Sequence, residues 1–155
     1  MPRAWLEAVE QRTKMTEANP MEVTVRHLSG TQFEASARGH QLLSDQPANN
    51  SGTDIGMTPP EVLLSALGTC AGYYAVEYLK ARGLECRDLA VRVTAEKATR
   101  PARLGSLRVE VTTPGLDPAR EAGVLRAVKT CLIHNTLSHP PAIEVSVSVA
   151  EPLAA

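Results

Sequence analysis

The sequence predicts an α+β fold whose elements follow in the order βββαββαβ, with helices on one side of antiparallel sheet and a long buried central helix. Three observations predict it. Val62 to Val76 carries no charge, so a helix there has no fully solvated face. Apolar residues alternate with polar ones on both sides of that run, most clearly where Ile143, Val145, Val147 and Val149 are separated by Glu144, Ser146 and Ser148. Val124, Val128 and Cys131 repeat at i, i+4 and i+7, the stripe of a second helix.

In chain order, Ala4 to Glu17 reads as a short helix closed by Asn19-Pro20, so residues 1–20 are expected to be a helical extension and residues 21–155 a single domain. Val23 and Val25 alternate with Glu22, Thr24 and Arg26; after Ser29-Gly30-Thr31 the period resumes at Phe33, Ala35 and Ala37, which makes a hairpin. His40 to Leu43 is a third strand, and ANNSGTDIGM over 48–57 is a turn-rich loop. The central helix begins at Thr58, a cap residue, with Pro59 and Pro60 in the first turn and Glu61 placed to close a capping box. Gly83 stops it after Lys80 and Arg82. Strands follow at Leu89 to Glu96 and Leu107 to Val111, joined by a connection over 98–105, and Asp117-Pro118 opens the second helix.

Lys plus Arg is 16 against 17 for Asp plus Glu, so no net field favours a nucleic acid or an anionic membrane surface. The charge-free run is too short to span a bilayer, which needs about 20 apolar residues. MPRAWLEAVEQRTK lacks an apolar signal core, which points to the cytoplasm. Cysteines in a reducing compartment are usually inert unless their surroundings activate them.

Cys70 lies within the central helix and Cys131 on the stripe of the second, so both face one core. They are compatible with packing alone, with a functional dithiol, or, taking Cys131, His134 and His139 with Cys70 or His40, with a zinc site. Cys86 reads as structural or exposed. The helix offers Cys70 no cation: its neighbours are Ala66, Leu67, Tyr73 and Tyr74, and the positive helix end is out of reach. An activating Arg must come from elsewhere, held by a carboxylate.

SARGHQLLSDQP, the glycine-containing loop after it, GMTPPEVLLSALGTC and KTCLIHNTL together resemble the OsmC/Ohr family of thiol-dependent hydroperoxide reductases, over Glu22 to Val149 and closer to its broad OsmC-like branch. The resemblance implies an OsmC-like fold and an intertwined homodimer with the central helices at the interface and sites made from both chains. It implies that Cys70 is the peroxidatic and Cys131 the resolving cysteine of an organic-hydroperoxide reductase, with no cofactor or metal and a dihydrolipoyl group or small thiol as reductant. In the hydroperoxide-resistance branch a Glu that holds the activating Arg falls where this chain has Pro60; Glu61 comes one residue later, about 100° round a helix. Glu61 is therefore either the orienting carboxylate or only the helix cap. Arg26 is the first positional candidate for the activating cation and Arg38 the alternative. The other readings are a non-catalytic OsmC-like protein that binds an apolar small molecule, and a redox sensor.

Overall fold

The computed structural model describes residues 21–149; the helical extension expected over residues 1–20 lies outside them. Contacts divide the chain into two compact units, Met1–Thr58 and Pro59–Ala155.

The first unit contains the three expected strands, β1 (Thr24–Ser29), β2 (Gln32–Ala37) and β3 (His40–Ser44), as an antiparallel meander in the order β1-β2-β3. Arg38 and Gly39 join β2 to β3 with φ of 52° and 82°, a mirror-image turn whose twist matches that of the strands. Beyond β3 the loop is organised by Asp45, which is 1% exposed. Its carboxylate accepts from the Thr31 hydroxyl at 2.6 Å, the Thr53 hydroxyl at 2.7 Å and the backbone N–H of Thr53 at 3.0 Å. The Thr31 hydroxyl, then the Thr53 hydroxyl, hold the acid well below the usual carboxylate range. Gly52 and Gly56 are required because a Cβ at either would strike the backbone of Gln46 or Leu43.

In the second unit α1 (Pro59–Lys80) has Pro59, Pro60 and Glu61 in its first turn and Lys80 in its last. Gly83 at φ 63° ends it as expected. Its N–H donates to Lys80 O, and that of Leu84 to Leu79 O, both at 3.0 Å, which satisfies carbonyls that the last turn would otherwise leave open. The hairpin of β4 (Ala90–Thr99) and β5 (Ala102–Thr112) runs further than the alternation indicated, turning only at Arg100-Pro101. Gly105 is the bulged residue, and a Cβ there would come 2.9 Å from Ala98 Cβ. Gly68 and Gly72 let α1 lie against β4: Cβ atoms there would reach Val93 at 3.1 Å and Val91 at 3.4 Å. The core joins Ala71, Ala75 and Leu79 of α1 to Val124 and Val128, with Val91, Val109, Val111 and half-buried Cys86 packed around them.

Three expectations need correction. The central helix is not buried all round within one chain: Leu67, Ala71, Ala75 and Leu79 are buried, while Leu63 is 39% and Tyr73 61% exposed. The second unit covers one face of α1 only. The second helix is two, α2 (Glu121–Lys129) and α3 (Leu132–Ser138), preceded by a single 3-10 turn at Pro118–Arg120 that the Asp117 side chain caps. The break falls at Thr130, whose hydroxyl and N–H both donate to Ala127 O, at 2.7 and 3.0 Å. This tightens the last turn and releases Cys131 into extended backbone, with ψ 131°. The final strand of the βββαββαβ order is absent among the described residues. Residues 140–149 form no regular element, and Ile143, Val145, Val147 and Val149 are 84–96% exposed. Alternation alone does not make a strand; an edge to pair with is also needed.

Candidate active site

The second unit brings Cys70 and Cys131 together. Cys70 sits half-buried in α1. Cys131 is the N-cap residue of α3 and wholly buried; its sulfur accepts the backbone N–H of His134 at 3.4 Å. The Cys70 side chain lies near enough to act on the Cys131 thiol, and both thiols are free. Burial first, and then the neighbouring Cys70 side chain, push the Cys131 thiol up, against the opposing pull of the His134 and Ile133 backbone. The break between α2 and α3, which periodicity did not reveal, is what aims the Cys131 sulfur: as a cap residue it lies at the start of α3, which touches α1.

Beside the pair a cleft of about 620 Å³ opens between α1, β5, α2 and α3. Its lining includes Leu67 and Ala71, which flank Cys70 in sequence, and Val128 and His134, which flank Cys131, with Leu107 and Leu137 opposite. The lining is mostly aliphatic, so it suits an apolar molecule. Among the described residues no three His, Cys, Asp or Glu side chains gather as a metal site, and the His139 ring bonds to Asn135 O at 3.3 Å.

Glu61 is in the first turn of α1, where its carbonyl accepts the Ser65 hydroxyl at 2.9 Å. The other two candidates belong to the first unit. Arg26, on β1, is opposite Glu34 of β2 and bonds to its carboxylate at 3.0 Å. Arg38 is at the tip of the β2–β3 turn. Sequence reasoning missed two features, one beside Cys131 and one in the first unit. The backbone N–H of His134 leaves no mark in a sequence. The buried carboxylate of Asp45 reads as an ordinary turn residue unless Thr31 and Thr53 are known to converge on it.

Residues 51–146 match the family described as OsmC-like protein. The chain is 33% identical to Protein YhfA of Escherichia coli K12 over 110 residues, 70% of this chain and 78% of that protein. The fold is similar to that of an OsmC-like protein from Mycoplasma pneumoniae, with a TM-score of 0.64 and 23% identity over 79% of this chain and 90% of the other. It is also similar to that of an organic hydroperoxide resistance protein OsmC from Legionella pneumophila, with a TM-score of 0.59 and 11% identity over 79% and 91%.

Proposed function

The chain belongs to the OsmC-like protein family, and from that premise we propose that it is a cysteine-based reductase of organic hydroperoxides. The observation that carries the reading is the nearness of the buried Cys131 thiol to the Cys70 side chain. The aliphatic cleft beside them and the likeness in fold to an organic hydroperoxide resistance protein support it.

In this mechanism the Cys70 thiolate attacks one oxygen of the O–O bond. The alkoxide leaves and takes a proton, giving the alcohol and a sulfenic acid on Cys70. Cys131 gives up its proton, its sulfur displaces hydroxide from the sulfenic sulfur, and proton and hydroxide leave as water. A dihydrolipoyl group or small thiol exchanges with the new disulfide, restoring both cysteines as it is oxidised. Arg26 supplies the activating cation, with Arg38 the alternative and Glu61 the orienting carboxylate. The Arg26–Glu34 pair does not stand in the way: Arg26 is 69% exposed, and such surface pairs contribute about 0–1 kcal/mol.

The protein acts in the cytoplasm as a homodimer. The open face of α1 and the unpaired alternation over 143–149 are what support a second copy: α1 is long and apolar enough by length and composition to cross a membrane, yet only 22% of its apolar window is buried. Burial against a second α1 satisfies that surface without a bilayer.

The cleft also favours a second reading, a non-catalytic protein that binds an apolar small molecule. Cumene hydroperoxide consumption with dihydrolipoamide separates the two. The reductase reading requires turnover that Cys70→Ser abolishes; a wild-type thiol that reacts with peroxide no faster than free cysteine leaves only binding.

A further inference from the structure

The cleft beside the cysteines carries charge of one sign only. Its walls are aliphatic, with Leu63, Leu107 and Leu137 among them, and its volume of about 620 Å³ falls within the range of small-molecule sites. Among the described residues that line it, Lys129 and His134 bear the ionisable side chains, both of which can donate a hydrogen bond, and no Asp or Glu is present. No described carboxylate lies within ion-pair distance of Lys129, and the bond that His134 makes to Cys131 is through its backbone N–H, which leaves the ring to face the cleft. Lys129 is in the last turn of α2, where a cation also offsets the helix end. Arg126 shares that turn, however, and does not line the cleft.

A second space of about 710 Å³ adjoins the first along α2 and shares Val109, Leu125 and Val128 with it; there the ionisable residue among the described lining is Glu121. Glu121 is eight residues from Lys129, about 12 Å along a helix. The groove is therefore cationic at the end beside Cys131 and anionic at the other, so a negative group is attracted to the first end and repelled from the second.

We propose that the cleft selects apolar molecules that carry one carboxylate, with Lys129 and the His134 ring as the groups that bind the carboxylate. This rests on the reading, common to the reductase and to the non-catalytic binder, that the cleft takes an apolar molecule. The charge pattern also orients the ligand: its carboxylate lies at the end beside Cys131, and its apolar body runs along α2 towards Leu125.

The test compares two ligands with one apolar body, 4-isopropylbenzoate, which is ionised at pH 7, and the neutral 4-isopropylbenzyl alcohol. Titration calorimetry on the reduced full chain should show the acid bound roughly tenfold more tightly than the alcohol, the scale of one hydrogen bond to a charged group. Lys129→Gln removes the cation, and His134→Phe keeps a ring without its donor; each should take away most of that preference while leaving the alcohol within about twofold of wild type. Arg126→Gln, in the same helical turn but outside the cleft, should change neither ligand. Acid and alcohol bound equally by the wild type overturn the proposal and leave the apolar cleft standing. An Arg126→Gln variant that weakens the acid as much as Lys129→Gln overturns it too, because the preference would then come from the general field of the helix end. If neither ligand binds, the proposal fails together with the reading of the cleft on which it rests.

Discussion

The hydroxyl of Tyr78 on α1 occupies the space that a Cβ on Gly123 of α2 would need. This close approach fastens α2 to α1, and the chain that leaves α2 carries Cys131 to Cys70. The Arg82 guanidinium lies 3.7 Å over the same tyrosine ring, a cation–π contact that helps fix it. Gly123→Ala is therefore an overpacking change at a joint that sets the thiol pair. It should destabilise the protein by roughly 1–3 kcal/mol and slow oxidation of Cys70 and Cys131 to a disulfide. Urea unfolding with an unchanged midpoint would show that the joint gives way freely.

Asp45 makes stability depend on acid in a defined direction. Its folded pKa is lowered from the ordinary 3.8 by the hydroxyls of Thr31 and Thr53. The stabilisation is therefore fully present above that ordinary value, and is lost as pH falls below it towards the folded one. Asp45→Asn should lower the unfolding midpoint at pH 7, because an amide cannot accept all these bonds as a carboxylate does. The gap between variant and wild type should narrow by pH 3. A gap that is constant from pH 7 to pH 3 contradicts this account.

How much of this was legible in the sequence varies with how local each cause is. The ends of α1 were readable because Pro59, Pro60 and Gly83 act on their own backbone, and the hairpins because their alternation is local. The break at Thr130 was not readable. It depends on a hydroxyl turning back to Ala127 O and on a cysteine serving as a cap, a role that Ser, Thr, Asp and Asn normally fill. Asp45 binds Thr31 and Thr53, 14 and 8 residues away, a convergence that composition does not display. The alternation over 143–149 was legible, but whether it becomes a strand is decided by an edge that the described chain does not offer it.

The exposed face of α1 gives a test of the proposed homodimer. Tyr73, 61% exposed and stacked edge-on to Tyr74, would lie among apolar neighbours in a helix-to-helix interface. Tyr73→Glu would bury an unpaired carboxylate there, at a cost of several kcal/mol. Sedimentation velocity should show a dimer for wild type and a shift to monomer for the variant. A wild-type monomer at micromolar concentration, or a variant that dimerises as tightly as wild type, would exclude this interface.

The choice between Arg26 and Arg38 turns on a single comparison. Arg26→Gln should lower the second-order rate with peroxide by roughly tenfold to a hundredfold, one to two factors of about 1.4 kcal/mol, and Arg38→Gln by less than threefold. The reverse order assigns the cation to the β2–β3 turn, and two wild-type rates remove both arginines from the mechanism.

The central claim is that Cys70 and Cys131 are a working pair, and the most direct measurement follows both thiols during one turnover. Reduced protein mixed with one equivalent of cumene hydroperoxide should lose two thiols, form one Cys70–Cys131 disulfide in the peptide map and release one equivalent of cumyl alcohol. Cys131→Ser should stop at a dimedone-reactive sulfenic acid on Cys70. Peroxide consumed with Cys70 still reduced, or no consumption beyond that of free cysteine, would contradict the account.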